Sequence, residues 1–128
     1  MNYLGIDYGT KRIGIARSVG WLAEPVIIVH QNADAIDQIV ALCKEYQIDE
    51  IVCGVSEGEM AEATKVFAHA LKEQVNLPIH FMDETMSSKE VQKMILASGK
   101  KMKDRQEPID HYAAAHILQQ FLEEQENN

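Results

Sequence analysis

The order of periodic segments along the chain predicts an α/β domain, a mixed sheet covered by helices. Three observations carry that expectation. The first third of the chain holds three short runs rich in apolar and β-branched residues, separated by glycine or proline. Beyond Asn32 the apolar residues recur at helical spacing instead. From there helical and strand-like stretches alternate, the pattern that parallel strands joined through helices require.

Residues 3–7 and 12–18 read as the first two strands, and Tyr8-Gly9-Thr10-Lys11 between them suits a hairpin turn. Gly14 and Ala16 are small for a strand interior, which implies that another element packs closely on that face. Val26-Ile27-Ile28-Val29 follows Pro25 and carries branched residues on both faces, as a buried strand does. Ala35, Ile36, Ile39, Val40, Leu42 and Cys43 make residues 33–46 an amphipathic helix, with Asn32 or Asp34 available as its cap. Residues 50–55 form a short buried strand with Gly54 at its end. Residues 59–74 return to helical period through Ala63, Val66, Phe67, Ala70 and Leu71, and residues 78–82 are the fifth strand. Val91, Met94, Ile95 and Ala97 mark a further helix that Gly99 ends. After a basic connector at 100–107, Pro108 and Asp110 open a last helix with Ala113, Ala114, Ile117, Leu118, Phe121 and Leu122 on its apolar side. Residues 123–128 are polar and are expected to be disordered. No repeat or long linker divides the 128 residues, so 1–128 reads as a single domain.

Composition bounds the function. A hydrophobic fraction of 46% and a charged fraction of 25% are those of an ordinary globule. No stretch approaches the ~18 apolar residues that cross a bilayer. Asp7 interrupts the amino terminus before a secretory h-region can form, so a cytoplasmic protein with no membrane partner is expected. With 12 Lys and Arg against 20 Asp and Glu the net charge is −8, which opposes indiscriminate coating of nucleic acid and leaves room for a local basic patch. Cys43 and Cys53 are not spaced as a metal or redox pair and are expected to be buried, reduced thiols.

Chemistry in α/β sheets collects at the carboxyl ends of strands. Asp7 ends the first strand, Asp83 and Glu84 end the fifth, and Asp110 opens the last helix. Each has an ordinary explanation as a turn residue, a strand-end charge or a first-turn acid. If the first and fifth strands run parallel near the sheet centre, however, Asp7 and Glu84 emerge on one edge. Converging carboxylates repel one another unless a cation lies between them, and hard divalent ions with oxygen ligands suit that place. This is the requirement of two-metal phosphodiester hydrolysis. Lys11 and Arg12 follow Asp7, while Lys100, Lys101, Lys103 and Arg105 form the densest basic cluster, fit to meet phosphates or simply to lie in solvent. The 5 histidines show no ligand spacing, although His111 adjoins Asp110.

The stretch Gly5-Ile6-Asp7-Tyr8-Gly9-Thr10-Lys11-Arg12-Ile13-Gly14-Ile15-Ala16 resembles the opening motif of the YqgF family, also called RuvX-like. Asp83-Glu84-Thr85-Met86-Ser87-Ser88-Lys89-Glu90-Val91 is similar to its second motif, and Ile109-Asp110-His111-Tyr112-Ala113-Ala114-Ala115-His116-Ile117-Leu118 to its third. The order and spacing of all three agree, and the likeness spans essentially the whole chain. These small bacterial proteins are described as Holliday-junction-resolvase-like and as pre-16S rRNA nucleases. The resemblance implies an RNase H-like fold, a five-stranded mixed sheet flanked by helices. It also implies that Asp7, Glu84 and Asp110 are catalytic and hold Mg²⁺ or Mn²⁺, with Lys11, Arg12 and the basic connector on backbone phosphates. Two stretches depart from the family: Gly54-Val55-Ser56-Glu57-Gly58-Glu59 lacks a proline, and Arg17-Ser18-Val19 replaces a Ser-Asp. Both are expected at the rim of the site.

The leading expectation is therefore a metal-dependent nuclease acting on structured RNA, in maturation of the 5′ end of pre-16S rRNA. Cleavage of DNA junctions is the second; it needs two opposed sites and hence a dimer, and the chain is expected to be a monomer or a weak homodimer. A third comes from Gly5-Ile6-Asp7-Tyr8-Gly9-Thr10, which also looks like the phosphate loop of the actin and sugar-kinase ATPases, whose nucleotide cleft needs two such domains. A fourth is a nucleic-acid-binding module with little turnover.

Overall fold

The computed structural model describes residues 1–55, 59–83 and 110–126. The predicted helix around Val91 to Ala97 and the basic connector lie outside them. The elements run β1 (Tyr3–Tyr8), β2 (Arg12–Val19), β3 (Leu22–His30), α1 (Ala35–Glu45), β4 (Glu50–Val55), α2 (Glu59–Val75), β5 (Ile79–Asp83) and α3 (Asp110–Glu126). One sheet in the order β3-β2-β1-β4-β5 holds all five strands. The hairpins β1–β2 and β2–β3 are antiparallel, while β4 pairs parallel with β1, and β5 with β4. The expected mixed sheet is thus met.

Side-chain alternation along the strands sorts the core onto two faces. Leu4, Ile6, Ile13, Ile15, Ile51 and Cys53 pack against Ile39 and Cys43 of α1 and Phe67 and Leu71 of α2. Ala16 and Val52 face Ala114, Ile117, Leu118, Phe121 and Leu122 of α3. The α3 face of the sheet is paved with small residues for a physical reason. A Cβ on Gly5 would lie 2.8 Å from Leu118 Cβ, and one on Gly54 would lie 2.4 Å from Ile117 Cδ1. Glycine lets the helix settle directly on the strands, where Ile117 and Leu118 are fully buried, each side chain contributing ~1.5–3 kcal/mol relative to exposure. Gln119, midway along α3, ties the helix to the β2–β3 turn, accepting from Ala23 N at 2.8 Å and donating to Trp21 O at 3.1 Å.

Three expectations need correction. The third strand is longer than Val26 to Val29 and is an edge strand, not a buried one, with Ile27 47% exposed. Branched residues favour strands at edges as well as centres, so the run could not reveal its place. Pro25 sits beside a register shift at Ile15/Ala16, and at an edge its missing N–H costs no ladder bond. Second, β5 runs parallel to β1 as supposed but lies at an edge of the sheet, not near its centre, with β4 between the two. Third, residues 123–126 continue α3 rather than fraying, because Phe121 and Leu122 anchor its preceding turn in the core. Among the described residues no helix is long and apolar enough to cross a membrane.

Candidate active site

The carboxyl ends of β1, β4 and β5 emerge together. An in-register row of Gly14, Asp7, Gly54 and Met82 crosses β2, β1, β4 and β5. Cross-strand partners share a face. Gly14 and Gly54 look towards α3 and Met82 packs into the α3 cluster, so Asp7 faces α3 as well. Both of its neighbours across the strands, Gly14 and Gly54, are glycine, so neither puts a side chain beside it on that face.

Asp110 is the first residue of α3, where an acid complements the helix dipole. A Cβ on Gly14 would lie 1.9 Å from the Asp110 carbonyl oxygen. The helix start therefore rests on the strand position paired with Asp7, and the two acids share one face and one end of the sheet. Asp110 Oδ2 accepts a hydrogen bond from Arg12 Nε at 3.0 Å, with the two side chains 26% and 41% exposed. Arg12, expected to face phosphate, is thus turned onto the neighbouring carboxylate.

The turn between β1 and β2 is built to hold this shape. A Cβ on Gly9 would lie 2.5 Å from Arg12 O, so the chain can double back so tightly only at glycine. Gln31 braces the turn from beyond β3, its Nε2 donating to Gly9 O at 2.8 Å and its backbone N to Lys11 O at 3.0 Å. Lys11 is exposed at the tip. Nothing in the pattern around Gln31 announces that brace, because one sequence carries no sign of a bond across 22 residues.

Asp83 ends β5, and alternation with Met82 sends its side chain to the face opposite Asp7. Glu84, Lys100, Lys101, Lys103 and Arg105 lie outside the described residues, as do Ser56, Glu57 and Gly58. Gly54 does border Asp7, so that departing stretch begins at the site. Arg17, Ser18 and Val19 do not: β2 runs antiparallel to β1, and Arg17 pairs with Leu4 at the far end. There Arg17 Nε donates to Glu24 Oε1 at 2.6 Å and its guanidinium lies over Tyr46, 4.4 Å from the ring centroid. The same far end holds His80 paired with Glu50, and Tyr3, whose phenol is held above its usual range by burial and then by Glu50 and Asp49. His111 lies against Tyr112, with ring centroids 4.6 Å apart. Cys43 and Cys53 are buried and free, as expected.

A five-stranded mixed sheet in this order, flanked by helices, defines an RNase H-like fold. The RuvX family, described as Holliday junction resolvase, matches residues 1–124. A "Putative pre-16S rRNA nuclease" from Syntrophomonas wolfei is 38% identical, over 96% of this chain and 94% of that protein. One of the same description from Moorella thermoacetica is 34% identical over 96% and 95%. Among solved structures, the T. thermophilus RuvC in complex with a Holliday junction substrate superimposes with a TM-score of 0.63 at 13% identity, covering 100% of this chain and 97% of that one. A fowlpox virus resolvase bound to Holliday junction DNA reaches 0.61 at 13% identity, covering 98% and 99%. The chain belongs to the RuvX family, and it is a phosphodiester-hydrolysing enzyme.

Proposed function

We propose that the chain, working as one domain in the cytoplasm, is a divalent-metal-dependent nuclease that processes the 5′ end of pre-16S rRNA. The observation that carries this reading is that Gly14 pairs in register with Asp7 and lies directly under the backbone of Asp110. Two hard oxygen donors on one face suit Mg²⁺ or Mn²⁺, and the guanidinium already drawn to Asp110 marks the place as one that calls for positive charge. Among the described residues no group of three or more His, Cys, Asp or Glu gathers, and Glu84, the third acid by family resemblance, lies outside them.

A bound divalent cation supplies a Lewis acid for the phosphate and a more acidic attacking water. The chain's own residues do the rest. Asp7, fixed in the middle of the sheet, and Asp110, fixed by the helix start, would hold that ion, with Glu84 completing the set. Lys11 at the turn tip, with Lys100, Lys101, Lys103 and Arg105, neutralises backbone phosphates flanking the cut, and Arg12 lies between that basic turn and the acids.

The RNA substrate is supported by the names of relatives at 38% and 34% identity. Junction DNA is the second reading, favoured by the resolvase complexes of the same fold; it asks two copies of this chain to act on opposed strands. The deciding experiment offers labelled pre-16S 5′ end and a four-way DNA junction in parallel, each with Mg²⁺, Mn²⁺ or EDTA. Metal-dependent cutting of the RNA end alone is the expected result. Preferential, paired nicking of the junction overturns the RNA reading, and binding to either without cutting overturns the catalytic one.

A further inference from the structure

Arg12 opens β2, and its Nε is committed to Asp110 Oδ2 at 3.0 Å, a pairing across 98 residues. Two residues on, Gly14 carries the backbone of Asp110 on the same face and pairs in register with Asp7. The guanidinium is therefore held against Asp110 at the edge of the site, half in solvent. A planar guanidinium is a permanent cation with a rigid donor fork, and it matches a carboxylate better than a flexible ammonium does.

We infer that Arg12 is a built-in counter-cation: it holds Asp110 in position when no divalent ion is bound, and it competes with that ion for Asp110 Oδ2. The inference rests on the reading that Asp7 and Asp110 hold a metal. An ion approaching Oδ2 must share it with Nε or displace the guanidinium, and either way meets a full positive charge a few ångströms away. At the intermediate dielectric of a half-exposed site that repulsion weakens ion binding by about tenfold. The device offsets the charge of Asp110 while no ion is bound and makes the site release its ion readily.

The test is calorimetric titration of the full chain with Mn²⁺, for wild type, Arg12→Gln, Arg12→Lys and Asp7→Asn. Arg12→Gln is expected to bind Mn²⁺ about tenfold more tightly, and Arg12→Lys, which keeps the charge, to stay near wild type. A merely structural role predicts the reverse, because loosening Asp110 would weaken binding. Unchanged or weaker binding in Arg12→Gln, with wild type binding normally, overturns the inference alone. If wild type and Asp7→Asn both fail to bind Mn²⁺, the metal reading itself fails and takes the inference with it. Melting of the Arg12→Gln, Asp110→Asn and double variants gives a second readout. The coupling between the two residues should be present in EDTA and shrink in saturating Mn²⁺; a coupling indifferent to Mn²⁺ that is seen to bind also overturns the competition.

Discussion

Gly14 and Asp110 are in contact through an absent side chain: a Cβ at residue 14 would lie 1.9 Å from the Asp110 carbonyl oxygen. The obstacle is backbone at the start of a helix, which cannot swing aside as a side chain would. Gly14→Ala must push α3 off the sheet or distort β2. Overpacking of this kind costs ~1–3 kcal/mol, and the shift separates Asp110 from Asp7. The expected outcome is a lower melting temperature together with loss of nuclease activity beyond what the fraction unfolded explains.

Leu118 supplies the complementary case deeper along α3. It is fully buried, over the face where Gly5 makes room for it. Leu118→Ala leaves a cavity and is expected to cost ~2–5 kcal/mol in denaturant titration. The glycine floor is rigid backbone, which places the loss towards the upper part of that range.

Asp83 and Glu84 separate two explanations of the second motif. Asp83 faces away from Asp7, so Asp83→Asn should leave cleavage within a few-fold of wild type. Glu84→Gln should abolish it, as the family resemblance implies. Equal loss in both variants would mean that the strand end as a whole, not one carboxylate, serves the reaction.

Lys11 is exposed at the tip of the β1–β2 turn, and its side chain is free to be changed without cost to packing. Lys11→Gln should weaken binding of unrelated RNA sequences alike and lower the slope of log affinity against log salt by about 1.

Burial pushes the Cys43 thiol up to about 11 and the Cys53 thiol up to about 12, from an ordinary 9.0. Folded protein then holds protons that unfolded chain has lost, so stability is fully present below pH 9.0 and falls as pH rises through about 11 to 12. Neither thiol should react with a disulfide reagent at neutral pH until the chain is unfolded, when both should.

Much of this was legible because local pattern and global place agreed. Gly14 and Ala16 announced a close neighbour by their size, and α3 is that neighbour. Asp7 stood out at a strand end beside a glycine turn, and the sheet puts it there. What the sequence could not convey was lateral position. Val26-Ile27-Ile28-Val29 reads alike at an edge or a centre, and only pairing shows that β3 is outermost. Arg17-Ser18-Val19 follows the first motif closely, yet the antiparallel turn carries it to the far end of the sheet from Asp7. Arg12 was visible as a charge near the acids, but its partner lies 98 residues on and no periodicity links the two.

The central claim is that the carboxylate of Asp7, set between Gly14 and Gly54, is required for metal-dependent cleavage. Asp7→Asn exchanges one carboxylate oxygen for an amide at nearly constant volume. The direct measurement is the single-turnover cleavage rate of labelled pre-16S 5′ end in Mn²⁺, alongside thermal melting of both proteins. The expected result is a variant that still melts as a folded protein, with cleavage reduced to the level seen with EDTA. An Asp7→Asn protein that cuts at the wild-type rate would contradict it.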